Sequence, residues 1–230
     1  MKMPEEEKSS ADDEVGSPWG EEPVSRLLEP DSDLDPERRI LLAAIQAIEE
    51  EGIQQVTIRG IARRAGVNSA AINYYYRSKE RLLDQVMEYT LENAFGDIGD
   101  FIPAGPIAST GPFKEYLKHM LWGMRTYPGI ARAHFYAPLV ESDVATRAVT
   151  RMNDFLSGIF DRMSEQVPRS RHGALRWSLV QLMSSLLMSG LAPDVFHSFL
   201  EGSLRDQPEL NAYVDSLVDR LLGPFFASNT

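Results

Sequence analysis

The chain has 230 residues, 43% of them apolar and 25% charged, with a formal net charge of -11 and no cysteine. Its length suggests a small domain beside a larger one, and the lack of cysteine excludes a disulfide framework or a thiolate metal site and fits a reducing cytoplasm. No apolar run approaches the ~18 residues that cross a bilayer, since the stretch 179–192 is broken by glutamine, serines and glycine, and MKMPEEEKSS lacks the apolar core of a signal peptide. Neither membrane insertion nor export is expected, and the expected location is cytoplasmic.

Residues 1–34 are a compositional unit of their own, with eleven acids against three bases. Such a segment buries too little apolar surface to offset its ordering entropy, so it is expected to be a disordered acidic arm. It is either a solvated tail or a competitor of DNA for basic helices. Asp35-Pro36 then starts a helix, with a capping carboxylate and proline at the first helical position, and Ile40, Leu41, Ala44, Ile45 and Ile48 form its apolar stripe before Gly52.

Residues 57–81, TIRGIARRAGVNSAAINYYYRSKER, carry the densest signal. Thr57 is an N-cap for a short helix with Ile58, Ile61, Ala62 and Ala65 at helical spacing. Gly66 stands where a helix end wants a left-handed residue, and Asn68 caps the next helix. That helix shows small or polar side chains (Ser69, Ala70, Asn73) on one face and is anchored by Ile72 on the other, so its thin face can approach base edges. Arg59, Arg63, Arg64, Arg77, Lys79 and Arg81 oppose one acid, Glu80, which makes the segment net +5 in an acidic chain. Local positive charge favours phosphate, although a helix-turn-helix also occurs as plain helical packing. Ser78 caps a longer helix with Leu82, Leu83, Val86, Met87 and Leu91 on one face, and Lys79 sits at its positively polarised start, where a phosphate can dock.

Beyond residue 96 the pattern is helical throughout. Residues 96–112 read as loop from their glycines and prolines. Helices are expected over 113–127, 130–137 (ending before Pro138), 143–166, 172–190 and 208–222, which makes an all-α bundle. Leu175, Leu179, Leu182, Met183, Leu186 and Leu187 form a broad stripe on one late helix, and Leu210, Val214, Leu217 and Leu221 mark the last. They are either intramolecular core or a dimer surface. The middle helices mix aromatic bulk, thioethers and polar tips (His119, Met120, Trp122, Tyr127, His134, Phe155, Met183), which suits either ordinary core or an apolar cavity with a few orienting groups.

Catalytic signatures are missing. His119, His134, His172 and His197 form no pair at helical ligand spacing, and there is no phosphate-binding loop, nucleophile elbow or dinucleotide fingerprint. No enzyme activity, cofactor or metal is expected.

The order of supporting helix, helix, turn, recognition helix and longer helix over about residues 35–90 resembles the N-terminal domain of the TetR/AcrR family of transcriptional regulators. Its most specific pieces are EEEGIQQVTIRGIARRAGVNSAAINYYYRSKERLL: the glycine after the first helix, Thr57 opening the second, Ala-Gly-Val at the turn, an aromatic cluster, and Ser-Lys-Glu with two leucines. The chain departs from the family in placing Asn73 where tyrosine is usual, and asparagine can pair with adenine. It also ends the aromatic run with Tyr76, expected to be core with its hydroxyl at the rim, where phenylalanine is common.

After the acidic arm at 1–34 that composition marks off, the resemblance implies a helix-turn-helix domain at 35–82 and a helical ligand-binding and dimerisation domain at 83–226. Thr57, Tyr74, Tyr75 and Lys79 would hold phosphates, Arg59, Ser69, Ala70, Ala71 and Asn73 would face bases, and Asn68 belongs to the same DNA-binding set. It further implies a homodimer through the last two helices, an inverted-repeat operator in double-stranded DNA, and release by a small, mostly apolar effector, repression being the family's commoner mode. The alternative is a DNA-bound scaffold of the same fold that recruits a protein partner and has no effector pocket.

Overall fold

Helix α1 (Pro36–Glu51) starts where the Asp35 carboxylate accepts the Arg38 amide hydrogen at 2.9 Å, and it ends at Gly52, whose φ of 82° a side chain would resist. The computed structural model describes residues 34–96, 101–102, 104–200 and 202–226, so the acidic arm up to residue 33 lies outside the described residues. Leu42, Ala43 and Ala47 are buried as well as Ile40, Ala44, Ile45 and Ile48, a wider face than the predicted stripe. The reason is position: α1 packs against α2 (Ile58–Ala65), α3 (Ser69–Tyr76), α4 (Lys79–Gly96) and α6 (Pro128–Tyr136) together. These helices share one apolar core that runs from Ile40 through Val56, Ile61, Ile72 and Tyr76 to Leu82, Val86, Ile130 and Ala133.

The second core is made by α5 (Gly111–Thr126), α7 (Arg147–Ser164), α8 (His172–Leu191) and, after the single turn α9 (His197–Leu200), α10 (Gln207–Leu221), with α11 (Gly223–Phe226) behind it. Phe113, Tyr116, Leu117, Phe155, Ile159, Leu175, Leu182, Leu186, Val214 and Val218 form its centre. Lys114 and Lys118 of α5 reach Asp219 and Asp215 of α10 at 2.7 and 2.9 Å along the rim. The molecule is all-α: an N-terminal helix-turn-helix followed by a larger helical bundle, with no strand among the described residues.

Most helix limits match their local signals, and one does not. Pro138, expected to stop the short helix, instead stands inside a π-helical turn (Ala137–Glu141) that continues α6. Proline there lacks only an amide that the first turn of a new hydrogen-bonding pattern leaves unpaired. Of the predicted loop 96–112, residues 104–110 carry no helix, but residue 101 is helical and α5 already starts at Gly111, while α7 starts later than expected because Thr146 accepts the Val149 amide hydrogen at 3.3 Å.

Within the first core α1 crosses the start of α6. A Cβ on Gly129 would lie 2.6 Å from Glu49 Cα and 2.8 Å from Glu49 C, with the Glu49 carbonyl oxygen closer still, so only glycine admits the backbone of α1 here. The Glu49 carboxylate in turn accepts the Ile130 amide hydrogen at 2.9 Å. An anionic oxygen on a first-turn amide satisfies an orphan donor and complements the helix dipole. A second link joins α1 to α4, where Arg38 donates to the Tyr89 hydroxyl at 2.7 Å and lies over the Tyr89 ring at 4.7 Å.

Candidate DNA-contacting surface and adjoining cavity

The tight turn rests on local chemistry. Thr57 Oγ1 accepts the Gly60 amide hydrogen at 3.0 Å, Gly66 closes α2 at φ 65°, and Asn68 Oδ1 accepts the Ala71 amide hydrogen at 2.9 Å to open α3. Each cap uses an acceptor, which leaves the Thr57 hydroxyl hydrogen and the Asn68 amide hydrogens to donate outward. Ile72 and Tyr76 turn inward, and the Tyr76 hydroxyl donates to the Glu37 carbonyl at 2.8 Å. Burial, with Glu37 and Asp35 nearby, pushes the pKa of that phenol up.

Inward anchoring points the other side of α3 at solvent. Ala70, Asn73 and Tyr74 are exposed at helical spacing, Tyr74 to 71%, and Tyr75 stands edge-on to Tyr74 at 5.1 Å. Arg59 is exposed as well, while Ser69 and Lys79 are half-buried. Ala71, expected to face bases, packs against the N-terminal core and is half-buried. Its neighbour Ile72 is the anchor, and a residue 100° away on an eight-residue helix is drawn partly under with it. At the end of α3, Arg77 has φ 69° and ψ -42°, a conformation that a side chain disfavours. Ser78 accepts the Arg81 amide hydrogen at 3.2 Å, so it caps α4 as predicted, and a backbone hydrogen bond together with Ser78 holds the exposed Glu80 carboxyl below the usual range.

The cationic count of the motif needs one correction. Arg64 points back to α1, pairing with both Glu50 and Glu51 at 2.6 Å, and does not contribute to the open face. Arg39 of α1, which the linear motif does not include, brings its guanidinium to the turn, 3.6 Å from where a Gly66 Cβ would stand.

A cavity of about 130 Å³ lies between α1, α4, α5, α6, α7 and α8. Met120, Tyr127, His134 and Met183 line it, as expected of an apolar site, alongside Met124, Phe135 and Met152. His119, Trp122 and Phe155 do not. The cavity takes Met120, Gly123, Met124 and Tyr127, a single α5 face, which leaves His119 on another side against Phe101 (4.9 Å between ring centroids) and Trp122 (6.4 Å). Phe155 is core, stacked on Phe113 at 6.2 Å and beside Tyr116 at 5.5 Å. Sequence reasoning missed the contribution of α4: Tyr89, Thr90, Asn93, Ala94 and Phe95 form one wall. The polar-aromatic spacing Tyr89, Thr90, Asn93 next to the stripe of Leu82, Val86 and Leu91 was the available signal. His134, deeply placed, has its pKa lowered to about 4 by burial, and its Nε2 lies 3.0 Å from Thr90 Oγ1.

The expected dimer residues are corrected more broadly. Leu175, Leu179, Leu182, Met183, Leu186, Leu210 and Val214 are buried in the core of the same chain, and the half-buried Leu217 and Leu221 pack onto it. With one broad stripe on α8, the intramolecular bundle claims it first. The large apolar side chains that α8 shows to solvent are Trp177, Val180 and Met188, with Trp177 69% exposed, and Phe196 and Phe199 at and in the α9 turn are exposed too, the latter to 86%. Among the described residues there is no cluster of metal-ligating side chains and no helix long and apolar enough to cross a membrane.

These features define an all-α protein with a helix-turn-helix at its N-terminal end and an apolar cavity behind it. Residues 40–86 match the model of the bacterial regulatory proteins of the tetR family. The same region is similar to the HTH-type transcriptional regulator BetI of Escherichia coli (strain K12 / DH10B), 44% identical over 50 residues that make 22% of this chain and 26% of that protein. The chain thus aligns with about a quarter of the length of the curated relatives it matches. The family match is confined to this N-terminal region, residues 40–86. Fold similarity extends further. A regulator assigned to that family from Mesorhizobium loti MAFF303099 superposes with a TM-score of 0.60 at 16% identity, over 82% of this chain and 96% of that one. A TetR-like transcriptional regulator from Rhodococcus sp. RHA1 does so with a TM-score of 0.56 at 13% identity, over 82% and 96%.

Proposed function

We propose that the chain is a transcriptional regulator that binds an inverted-repeat operator as a homodimer and is released from it by a small effector. In this reading residues 35–82 hold the DNA and residues 83–226 hold the effector and the second copy. The observation that carries it is the position of the cavity. Ile45 of α1, Tyr89 of α4 and Ile130 of α6 line it, and the same three helices build the core that supports α3. A ligand that spreads them moves the recognition helix, and by linkage it then binds the DNA-free form more tightly.

Thr57, Asn68, Tyr74, Tyr75 and Lys79 fix the protein on phosphates, while Arg59, Ser69, Ala70 and Asn73 address base edges. Ala71 supplies spacing beneath them. A two-fold dimer spaces its recognition helices roughly 34 Å apart to meet successive major grooves. The surface offered to a second copy is the exposed face of α8 with Trp177, Val180 and Met188, since exposed large apolar side chains of this kind mark interfaces. Repression follows if the operator overlaps a promoter.

The test is anisotropy of a labelled operator, first selected from random duplexes, during titration with candidate effectors. Dissociation by a compound that also binds the free protein supports the reading. Tight operator binding that no cavity ligand perturbs would favour the scaffold alternative, which has no use for the cavity.

A further inference from the structure

No aspartate, glutamate, lysine or arginine lines the cavity between α4, α5 and α6. An ion brought into such surroundings loses its hydration without gaining a partner, at a cost of several kcal/mol, so the occupant is uncharged. The polar feature with assignable chemistry is the pair Thr90 and His134. Thr90 Oγ1 lies 2.9 Å from the Val86 carbonyl oxygen and 3.0 Å from His134 Nε2. Carbonyls cannot donate, so a Thr90 hydroxyl hydrogen held by Val86, with the Met87 carbonyl at 3.4 Å, leaves the hydroxyl oxygen to accept from Nε2–H, the tautomer this geometry points to. The ring is neutral near pH 7 because burial holds its pKa at about 4. His134 Nδ1 in that tautomer keeps a lone pair, and the hydrogen bond of the ring among the described residues is the one at Nε2.

Resting on the reading of the cavity as an effector site, we infer that it takes an uncharged phenol or alcohol whose hydroxyl donates to His134 Nδ1 and whose apolar body lies against Met120, Met124 and Phe135. Thioether side chains suit this because they adapt to irregular apolar shapes and contact aromatic rings favourably. The volume, about 130 Å³, is close to that of cavities that accept one benzene ring.

The probes are para-propylphenol, its methyl ether, para-propylbenzoate and para-propylbenzylammonium, titrated calorimetrically into the whole chain at pH 7. The phenol binds, the ether binds about tenfold more weakly because His134 and the ether oxygen both end without a donor, and the two ions do not bind at concentrations that saturate with phenol. In His134→Phe the phenol and ether differ by less than about twofold. Ring nitrogen NMR of the unmodified chain reports the Nε2–H tautomer directly, whatever the variant does to folding. An ether that matches the phenol, binding of either ion, failure of all four probes, or the Nδ1–H tautomer overturns the inference. Phenol that binds yet leaves operator affinity unchanged defeats the effector reading instead, whereas equal release by phenol and ether defeats this inference and spares that reading.

Discussion

Gly129→Ala is the sharpest structural perturbation available, because helix propensity and packing predict opposite signs. In an exposed helix the change stabilises by about 1 kcal/mol. Here the new methyl would stand 2.6 Å from Glu49 Cα, where ordinary contact begins at 3.4 Å, so α6 and α1 must part by most of an ångström. The Glu49 carboxylate to Ile130 amide bond, now 2.9 Å, is stretched toward the limit of a hydrogen bond. Overpacking costs about 1–3 kcal/mol and the weakened bond about 1 kcal/mol, which leaves a net loss of about 1–3 kcal/mol after the propensity gain. Differential scanning calorimetry should show a Tm lower by several degrees, at about 2–4 °C per kcal/mol for a chain of this size. Operator affinity should change too, since α1 supports α3. A variant as stable as the parent, or more so, would refute the close approach of these two helices.

At the DNA face, Lys79→Ala should weaken all duplexes alike and lower the salt slope by about one, while Arg59→Ala should cost about 1–3 kcal/mol chiefly at one base position; equal losses on selected and random DNA would contradict that division. Arg77→Gly relieves a positive-φ side chain and should raise stability by about 1 kcal/mol in urea unfolding while weakening DNA binding. Trp177→Glu should shift sedimentation toward monomer and reduce operator affinity, whereas Leu182→Ala should cost about 2–5 kcal/mol in folding stability, as a core truncation does. For His134 the sign is set by a folded-state pKa of about 4 below the unfolded value near 6.5: the unfolded chain binds the proton first, so stability falls between pH 6.5 and 4 and this loss stops below. The full loss is about 3 kcal/mol. The unfolding curves of the parent and His134→Gln should converge over that range, and parallel curves would contradict it.

What the sequence disclosed was local. Asp35, Thr57, Asn68 and Ser78 are legible as caps because each acts on an amide three residues away, and Gly66 because its backbone angle is an intrinsic demand. What stayed hidden depends on partners distant along the chain. Arg64 carries the same charge as Arg63, and only the return of α1 brings Glu50 and Glu51 to it. His119 and Met120 are neighbours in sequence, yet the face of α5 that meets α4 and α6 selects the methionine. The leucines of α8 have the spacing of an interface, but periodicity cannot say whether the complementary surface belongs to the same molecule. Gly129 carries no such local signal, and only the folded chain brings the backbone of α1 against it.

The most direct test is selection of binding sites from random-sequence duplexes by the whole chain. Enrichment of a two-fold symmetric motif, its half-sites about one helical turn apart and its preference altered at a single position by Asn73→Ala, is the predicted result. Recovery of no consensus, with retention on heparin equal to retention on the recovered pool, would show that the exposed face of α3 reads no sequence.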